Sequence, residues 1–234
     1  MNTSTYSGTE LDVFAHACNW KNYVRSHLRP YVKGDVLEVG AGIGSNTKVY
    51  FDGRQSRWVC LEPNASLAQR IPRSGPLERC EIFVGTLAEM PTDNRFDSII
   101  YIDVLEHIDD HHREMALAAD RLKPGGYLSV LSPAHQWLYA PFDAAVGHRR
   151  RYSETDLRHL TPPSIAVQKL LFLDSAGLLA SLANRTVLKS ASPSVRQIRI
   201  WDRLLVPVSR FTDPIFAYTL GKSILAVWQK QEAS

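Results

Sequence analysis

Apolar positions recur along the chain in two periods. Short runs rich in β-branched residues, bounded by turn formers, predict strands. They are Asp35–Gly40, Arg57–Leu61, Cys80–Val84, Phe96–Ile102, Tyr127–Leu131, Ile165–Leu173 and Lys222–Gln229. Apolar residues at three- and four-residue steps predict helices between them. One helix runs to about Pro30 on Leu11, Phe14, Ala15, Cys18 and Tyr23. Others open at Ser45, at Pro63 and at Asp109, the last carrying Met115, Leu117, Ala118 and Leu122 on one side. Lys123-Pro124-Gly125-Gly126 is a stop-and-turn signal. Ser153, with Asp156 three residues on, starts a further helix in the manner of a capping box. Strand and helix alternate from residue 35 to 132, which predicts a parallel sheet with helices on both faces.

Composition narrows the class without choosing it. A chain of 234 residues is the size of one α/β domain, and a single domain over 1–234 is expected. With 44% hydrophobic and 22% charged residues, a disordered or collagen-like chain is excluded. The net charge of +3 implies no nucleic-acid partner without a broad basic face. Cys18, Cys60 and Cys80 are odd in number and form no C-x-x-C pair. They read as reduced thiols of a cytoplasmic protein, not as a disulfide framework or zinc ribbon. Met1 to Glu10 lacks the build of a signal peptide, and no apolar run is long enough to span a membrane.

Chemistry enters at Gly40-Ala41-Gly42-Ile43-Gly44, between the first strand and its helix. Such a turn brings backbone N–H groups close to a ligand at a helix N-terminus. A dinucleotide fingerprint, G-x-G-x-x-G, would place its third glycine at Ser45; here it falls at Gly44. Glu62 follows the second strand, at the spacing of an acid that binds ribose hydroxyls. Asp103-Val104-Leu105-Glu106-His107-Ile108 follows the fourth strand, and Leu122-Lys123-Pro124-Gly125-Gly126 precedes the fifth.

In this order and spacing, these segments resemble the class I S-adenosylmethionine-dependent methyltransferases, most of all the small-molecule branch of ubiquinone and menaquinone methyltransferase-like enzymes. The resemblance implies a Rossmann-like α/β fold: about seven strands, parallel except for an antiparallel last one, with residues 34–132 as cofactor core. It also implies the methyl donor S-adenosylmethionine. Glu38, Gly40, Ala41, Gly42 and Gly44 would line its methionine end, Glu62 with Pro63 its ribose, and Thr86 with Leu87 its adenine. Family members often carry an acid where Thr86 stands. Asp103, Val104 and His107 would sit beside the cofactor and the substrate entrance. Acids suit the cationic parts of the donor, and glycine-turn N–H groups suit its carboxylate.

The acceptor side is read from residues 133–160. This segment follows the fifth strand and gathers histidines, an acid, three arginines and aromatics, as a substrate wall would. His148, His135 and Asp143 are the candidate catalytic residues, as base or base-orienting group. Arg149, Arg150, Arg151, Tyr152, Trp137 and Tyr139 are candidate substrate contacts, the arginines for a carboxylate or phosphate. His111 and His112 read as solvated residues on a first helical turn. H-E-x-x-H spacing is absent, so no metal is assigned. In the insertion 174–214, Val195, Ile198, Trp201, Leu205 and Val208 form an apolar face, and Arg196, Arg199, Arg203 and Arg210 a basic one, with a break at Pro207. Residues 193–211 are thus a lid, a dimer surface or a peripheral membrane contact.

The expected activity is methyl transfer to an oxygen or nitrogen of a small molecule, sugar or lipid-linked intermediate, anionic acceptors included, by a monomer or homodimer. Two alternatives stand beside it. One is an NAD-dependent oxidoreductase on the same glycine turn. The other is a non-catalytic membrane-surface protein with a relic pocket.

Overall fold

The computed structural model describes residues 9–187 and 194–232. Its centre is a seven-stranded sheet in the order β3-β2-β1-β4-β5-β7-β6. The strands are β1 (Asp35–Val39), β2 (Arg57–Glu62), β3 (Cys80–Val84), β4 (Phe96–Ile102), β5 (Leu122–Pro133), β6 (Ile165–Leu173) and β7 (Ser223–Lys230). Strands β1 to β5 pair in parallel, and β7 runs antiparallel between β5 and β6. This is the Rossmann-like class I methyltransferase topology that the alternating pattern and the resemblance implied. Consecutive residues of the central strands point to opposite faces, and both faces are buried. Leu37, Val59, Ile99 and Val130 pack on one side with Met115 and Ala118, while Val36, Trp58, Ile100 and Leu131 pack on the other with Val24 and Leu28. Near-continuous apolar strands are what two covered faces require.

Several elements differ from the sequence expectation. The N-terminal helix is two: α1 (Thr9–Phe14) and α2 (Cys18–Leu28). The break has a local cause, since Lys21 Nζ folds back and caps the carbonyls of Phe14 (3.1 Å) and Ala15 (3.4 Å). After the short α3 (Thr47–Tyr50), the helix expected from Pro63 starts later, as α4 (Ala65–Ala68). There the Asn64 side chain, not Pro63, supplies the start by accepting from Ser66 and Leu67 N–H. Helix α5 (His111–Arg121) ends directly in β5. Leu122 pairs with Phe96 and Tyr127 with Ser98, so Lys123–Gly126 bulges out of the ladder.

Beyond β5 come α6 (Pro141–Ala145), α7 (Glu154–His159), α8 (Ser175–Val187), α9 (Val195–Ile200) and α10 (Val206–Ile215). A π-helical turn, Trp201–Leu205, joins α9 to α10. It, rather than Pro207, interrupts the helix. The wider turn rotates α10 by roughly one residue relative to α9; the predicted faces hold at Ile198, Trp201 and the four exposed arginines, but beyond the turn Val208 points outward instead of inward. Ile198, Trp201, Val206, Ser209 and Asp213 face inward, while Leu204, Val208 and Phe211 face outward. Residues 188–193 of the insertion, and position 193 of the predicted surface segment, lie outside the described residues.

Buried acids tie this helical layer down. Asp213 accepts from Tyr23 Oη (2.9 Å) and from the Asp174 and Ser175 amides (2.8 and 2.9 Å). Asp174 accepts from Trp201 Nε1 (2.8 Å) and Ser209 Oγ (2.7 Å). Asp202 accepts from the Trp20 amide (2.8 Å). Every one of these carboxylates has donors, which is what makes their burial tolerable.

Candidate active site

The carboxyl ends of β1, β2, β4 and β5 meet at one edge, where open α/β sheets bind ligands. The turn after β1 has positive φ at Gly40, Gly42 and Gly44 (67°, 56° and 75°). Gly40 has a second reason to lack a side chain: a Cβ there would lie 2.6 Å from Val104 Cγ2. Val104 and the glycine turn are therefore in contact.

Glu62 is buried at the end of β2. Its Oε2 accepts from Gly42 N–H (2.8 Å) and its Oε1 from Asn64 N–H (2.9 Å). Burial raises its pKa against these two bonds. Each oxygen keeps a further lone pair, so the carboxylate is held in place and can still accept another hydrogen bond. Glu38 lies under the turn, with Oε2 accepting from Thr47 Oγ1 (2.6 Å) and Trp58 Nε1 (3.1 Å). Its burial lifts the pKa to about 7. Ala41 is buried and Pro63 exposed.

The adenine side departs from expectation. Leu87 is fully buried among the core residues with Met90, so it packs the fold instead of lining a surface. Thr86 is exposed, and both its N–H (2.7 Å) and its hydroxyl (2.9 Å) donate to Glu89 Oε2. Sequence reading did not single out Glu89, the acid that stands beside Thr86. An acid three residues after a threonine in a turn was the available signal.

Asp103 ends β4 with φ 55°, a left-handed conformation that an Asp tolerates better than most residues. Its amide donates to Leu131 O (2.9 Å). The residue as a whole is exposed, while protein packs around its carboxyl group. Burial raises its pKa to about 6, opposed by the nearby His148.

His148 and Asp143 come together. His148 Nδ1 lies 2.8 Å from Asp143 Oδ1, and Asp143 is fully buried. Arg151 grips the same carboxylate with Nε (3.0 Å) and Nη2 (2.9 Å). Burial alone would raise the Asp143 pKa; His148 and Arg151 reverse this and hold it low. An ionised Asp143 only accepts hydrogen bonds, which puts the His148 proton on Nδ1 and the lone pair on Nε2. Nε2 faces Glu106 Oε1 at 3.8 Å. His107 stands against the His148 ring at 4.7 Å between centroids, and burial pulls its pKa to about 4. Glu106 was not among the predicted site residues, although it lies inside the motif that carried the resemblance.

Other candidates are placed elsewhere. His135 joins no such pair: its Nε2 is bonded to Gly221 O (3.0 Å) and its ring stacks on Phe172. Arg151 is spent on Asp143. Arg150 donates to Ile108 O (2.8 Å) and Asp109 O (3.2 Å). Arg149 pairs with Asp109 at the surface and is the member of the triplet that faces water. Tyr152 is a core residue whose hydroxyl meets His111 Nδ1 (2.8 Å) and donates to Leu105 O (3.2 Å). These groups wire the loop together because a long polar segment must satisfy its own donors and acceptors before a ligand's. Tyr139 Oη donates to His148 O (2.7 Å) and so supports the dyad, while Trp137 is half exposed beside His135. Helix α1 lies across the site: a Cβ on Gly42 would lie 3.2 Å from Leu11 Cδ1, and Phe14 meets Phe142 at 6.4 Å.

A methyltransferase-domain family model matches residues 14–161. No curated protein matches the chain. Among solved structures, one from Galdieria sulphuraria, provisionally named a sarcosine dimethylglycine methyltransferase, is 18% identical with a TM-score of 0.62, covering 91% of this chain and 86% of that one. Coclaurine N-methyltransferase with N-methylheliamine and S-adenosylhomocysteine bound is 15% identical with a TM-score of 0.57, covering 84% and 67%. The [4+2]-cyclase SpnF is 16% identical with a TM-score of 0.62, covering 91% and 82%. Likeness at this level concerns the fold, which hosts more than one chemistry.

Proposed function

The chain belongs to the methyltransferase-domain family, whose methyl donor is S-adenosylmethionine, and from that premise we propose that it methylates an oxygen or nitrogen of a small molecule, with His148 as the group that activates the acceptor. The observation that carries this reading is the buried Asp143–His148 pair, aimed at the strand edge that holds the glycine turn and Asp103. The donor supplies an activated methyl group on a cationic sulfur. The residues suit it: Glu62 is fixed for the ribose, Asp103 offers negative charge towards the cationic parts, and Glu38 stiffens the turn from below. Gly42 N–H is turned to Glu62, and Leu11 covers it, so α1 acts as a lid over the donor side. His148 Nε2 then takes the acceptor's proton, a role worth ~10²- to 10⁴-fold in rate. The NAD alternative is weaker, because the turn holds serine where the third dinucleotide glycine would stand.

A second observation favours a lipid-linked acceptor. Leu204 (62% exposed), Phe211 (74%), Ile215 (64%) and Leu179 (68%) project from α8 and the joint around α10. Arg196, Arg199, Arg203 and Arg210 are exposed around them, and the acids of this segment, Asp202 and Asp213, are buried. An apolar face rimmed by cations that form no ion pair among the described residues complements an anionic membrane surface. A second copy of the chain would set arginines against arginines across a twofold axis. Among the described residues, no helix is long and apolar enough to cross a membrane, so the contact is peripheral.

Calorimetry with S-adenosylhomocysteine tests the first reading. Binding in the wild type that persists in His148→Ala, with turnover lowered ~10²-fold or more, supports it; unchanged turnover in that variant removes His148 from the mechanism. Vesicles test the second. Sedimentation with phosphatidylglycerol vesicles, lost in Phe211→Glu, is expected. Equal binding of the variant, or a concentration-dependent dimer that Phe211→Glu dissolves, overturns it.

A further inference from the structure

We propose that Glu106, His107 and His148 bind one divalent transition-metal ion, and that this ion holds and activates an acceptor hydroxyl. The sequence pattern assigned no metal because the spacing of the usual zinc helix is missing. The fold supplies what the spacing lacks, bringing His148 from the loop after β5 onto the Glu106–His107 pair that follows β4. One ligand atom from each residue lies within 4.8 Å of the other two. Three donors at ~2.0–2.2 Å from a common tetrahedral ion stand ~3.3–3.6 Å apart, so the side chains close by up to about 1.5 Å, through rotation, to complete the set.

Two features point to a ligand rather than to a chance cluster. Glu106 is fully buried, and its Oε1 has no hydrogen-bond partner, although Oε2 takes the Ser132 hydroxyl at 3.0 Å. A buried carboxylate oxygen without a donor is rare and calls for a cation or a donor that completes it. The orphan oxygen faces His148 Nε2 at 3.8 Å, too far for a hydrogen bond and a few tenths of an ångström wider than the ~3.3–3.6 Å between two ligands of one tetrahedral ion. The other side of His148 is built as metal-binding histidines are: Nδ1 is held by a carboxylate, itself clamped by Arg151, which fixes the ring and leaves the Nε2 lone pair outward. His107 is likewise oriented, by a hydrogen bond to the Gly147 backbone.

The donor set selects the ion. Two imidazoles and one carboxylate suit zinc, manganese, iron(II) or cobalt, and suit calcium poorly. Three protein ligands leave positions open, as catalytic sites do. An acceptor hydroxyl bound there loses its proton more easily. The proton leaves to solvent; the oxygen forms its bond to the methyl carbon as the carbon–sulfur bond breaks, and that electron pair stays on sulfur. His148 is then a ligand, and the ion takes over the activation of the acceptor. This narrows the substrate class to hydroxylated compounds, best those with a neighbouring oxygen that chelates. The use of the ion in catalysis rests on the methyl-transfer reading; its binding does not.

Cobalt(II) is the probe. Full-length protein, stripped with a chelator and dialysed, is titrated with cobalt while its visible d–d bands are followed. S-adenosylhomocysteine affinity is measured in parallel as a control for folding. One equivalent of cobalt, displaced by zinc and bound at least ~10-fold more weakly by both Glu106→Gln and His107→Ala, is the expected result. His107→Ala alters a half-buried residue and keeps the test alive if Glu106→Gln fails to fold. No d–d bands, or bands of equal affinity in a folded variant, overturn the site. Chelator-insensitive turnover that still needs His148 overturns the ion's catalytic role and leaves His148 as a base. Cobalt binding without S-adenosylhomocysteine binding keeps the metal site and overturns the methyl-transfer reading instead.

Discussion

The proposed donor side and the proposed acceptor side of this site are built in opposite ways. On the donor side, each functional group comes from a strand end or the turn beside it, and each has its own few partners. Glu62 bonds Gly42 and Asn64; Glu38 bonds Thr47 and Trp58. On the acceptor side, Asp143, His148, Arg151, Tyr139, Glu106 and His107 form one connected cluster spanning the segment after β4 and the loop after β5. Changes on the first side should act one at a time. Changes on the second should propagate, because removing one partner leaves another buried and unsatisfied.

A large effect is expected where the donor side admits no relaxation. Gly40→Val places a branched side chain 2.6 Å from Val104 Cγ2 at a φ of 67°. Both the clash and the left-handed backbone count against it, so S-adenosylhomocysteine binding should fall by at least ~100-fold, equivalent to roughly 2.7 kcal/mol. Affinity within tenfold of wild type would show that the turn does not contact the cofactor.

Asp143→Asn probes the other side. An amide no longer fixes the His148 proton on Nδ1, and Arg151 loses its counter-charge in a buried setting. Turnover should drop ~10²- to 10⁴-fold, and stability should fall by about 3 kcal/mol, while cofactor affinity stays near wild type. If a double mutant, Asp143→Asn with Arg151→Met, recovers stability but not turnover, the cluster is coupled as described. Full additivity of the two changes would mean that the acceptor side is as modular as the donor side.

The contrast also explains what could be read in advance. The strands were legible because a sheet covered on both faces needs near-continuous apolar runs, and the glycine turn because its chemistry is local in sequence. The acceptor arrangement was legible only as a set of suspects. Arg151 and Asp143 stand in the same loop, but nothing in their spacing says that they bind one another and not a substrate. Glu106 passed unnoticed because its importance comes from an absent partner, which only packing reveals. The outward apolar face around Phe211 was hidden by the π-helical turn, which shifts the helical phase in mid-segment.

The smallest effect lies away from both sides, at the seam where α2 packs against Tyr218. His27, on α2, is packed edge-on between Tyr23 and Tyr218, at 5.0 and 5.4 Å between ring centroids. Its Nε2 is buried without a hydrogen-bond partner. Burial, helped by Lys169 and opposed by Asp213, lowers its pKa to about 4 from an ordinary 6.5. The folded protein therefore keeps His27 neutral where the unfolded chain already binds a proton. Its contribution to stability is complete above pH ~6.5 and is lost progressively as the pH falls towards 4. Urea midpoints measured from pH 7.5 to 4.5 should decline, and His27→Phe, which keeps the ring and removes the titration, should flatten part of that decline. Parallel declines in both proteins would show that the seam is not strained by this residue, and that acid sensitivity resides in the carboxylate network that pins α8 to α10 on the sheet.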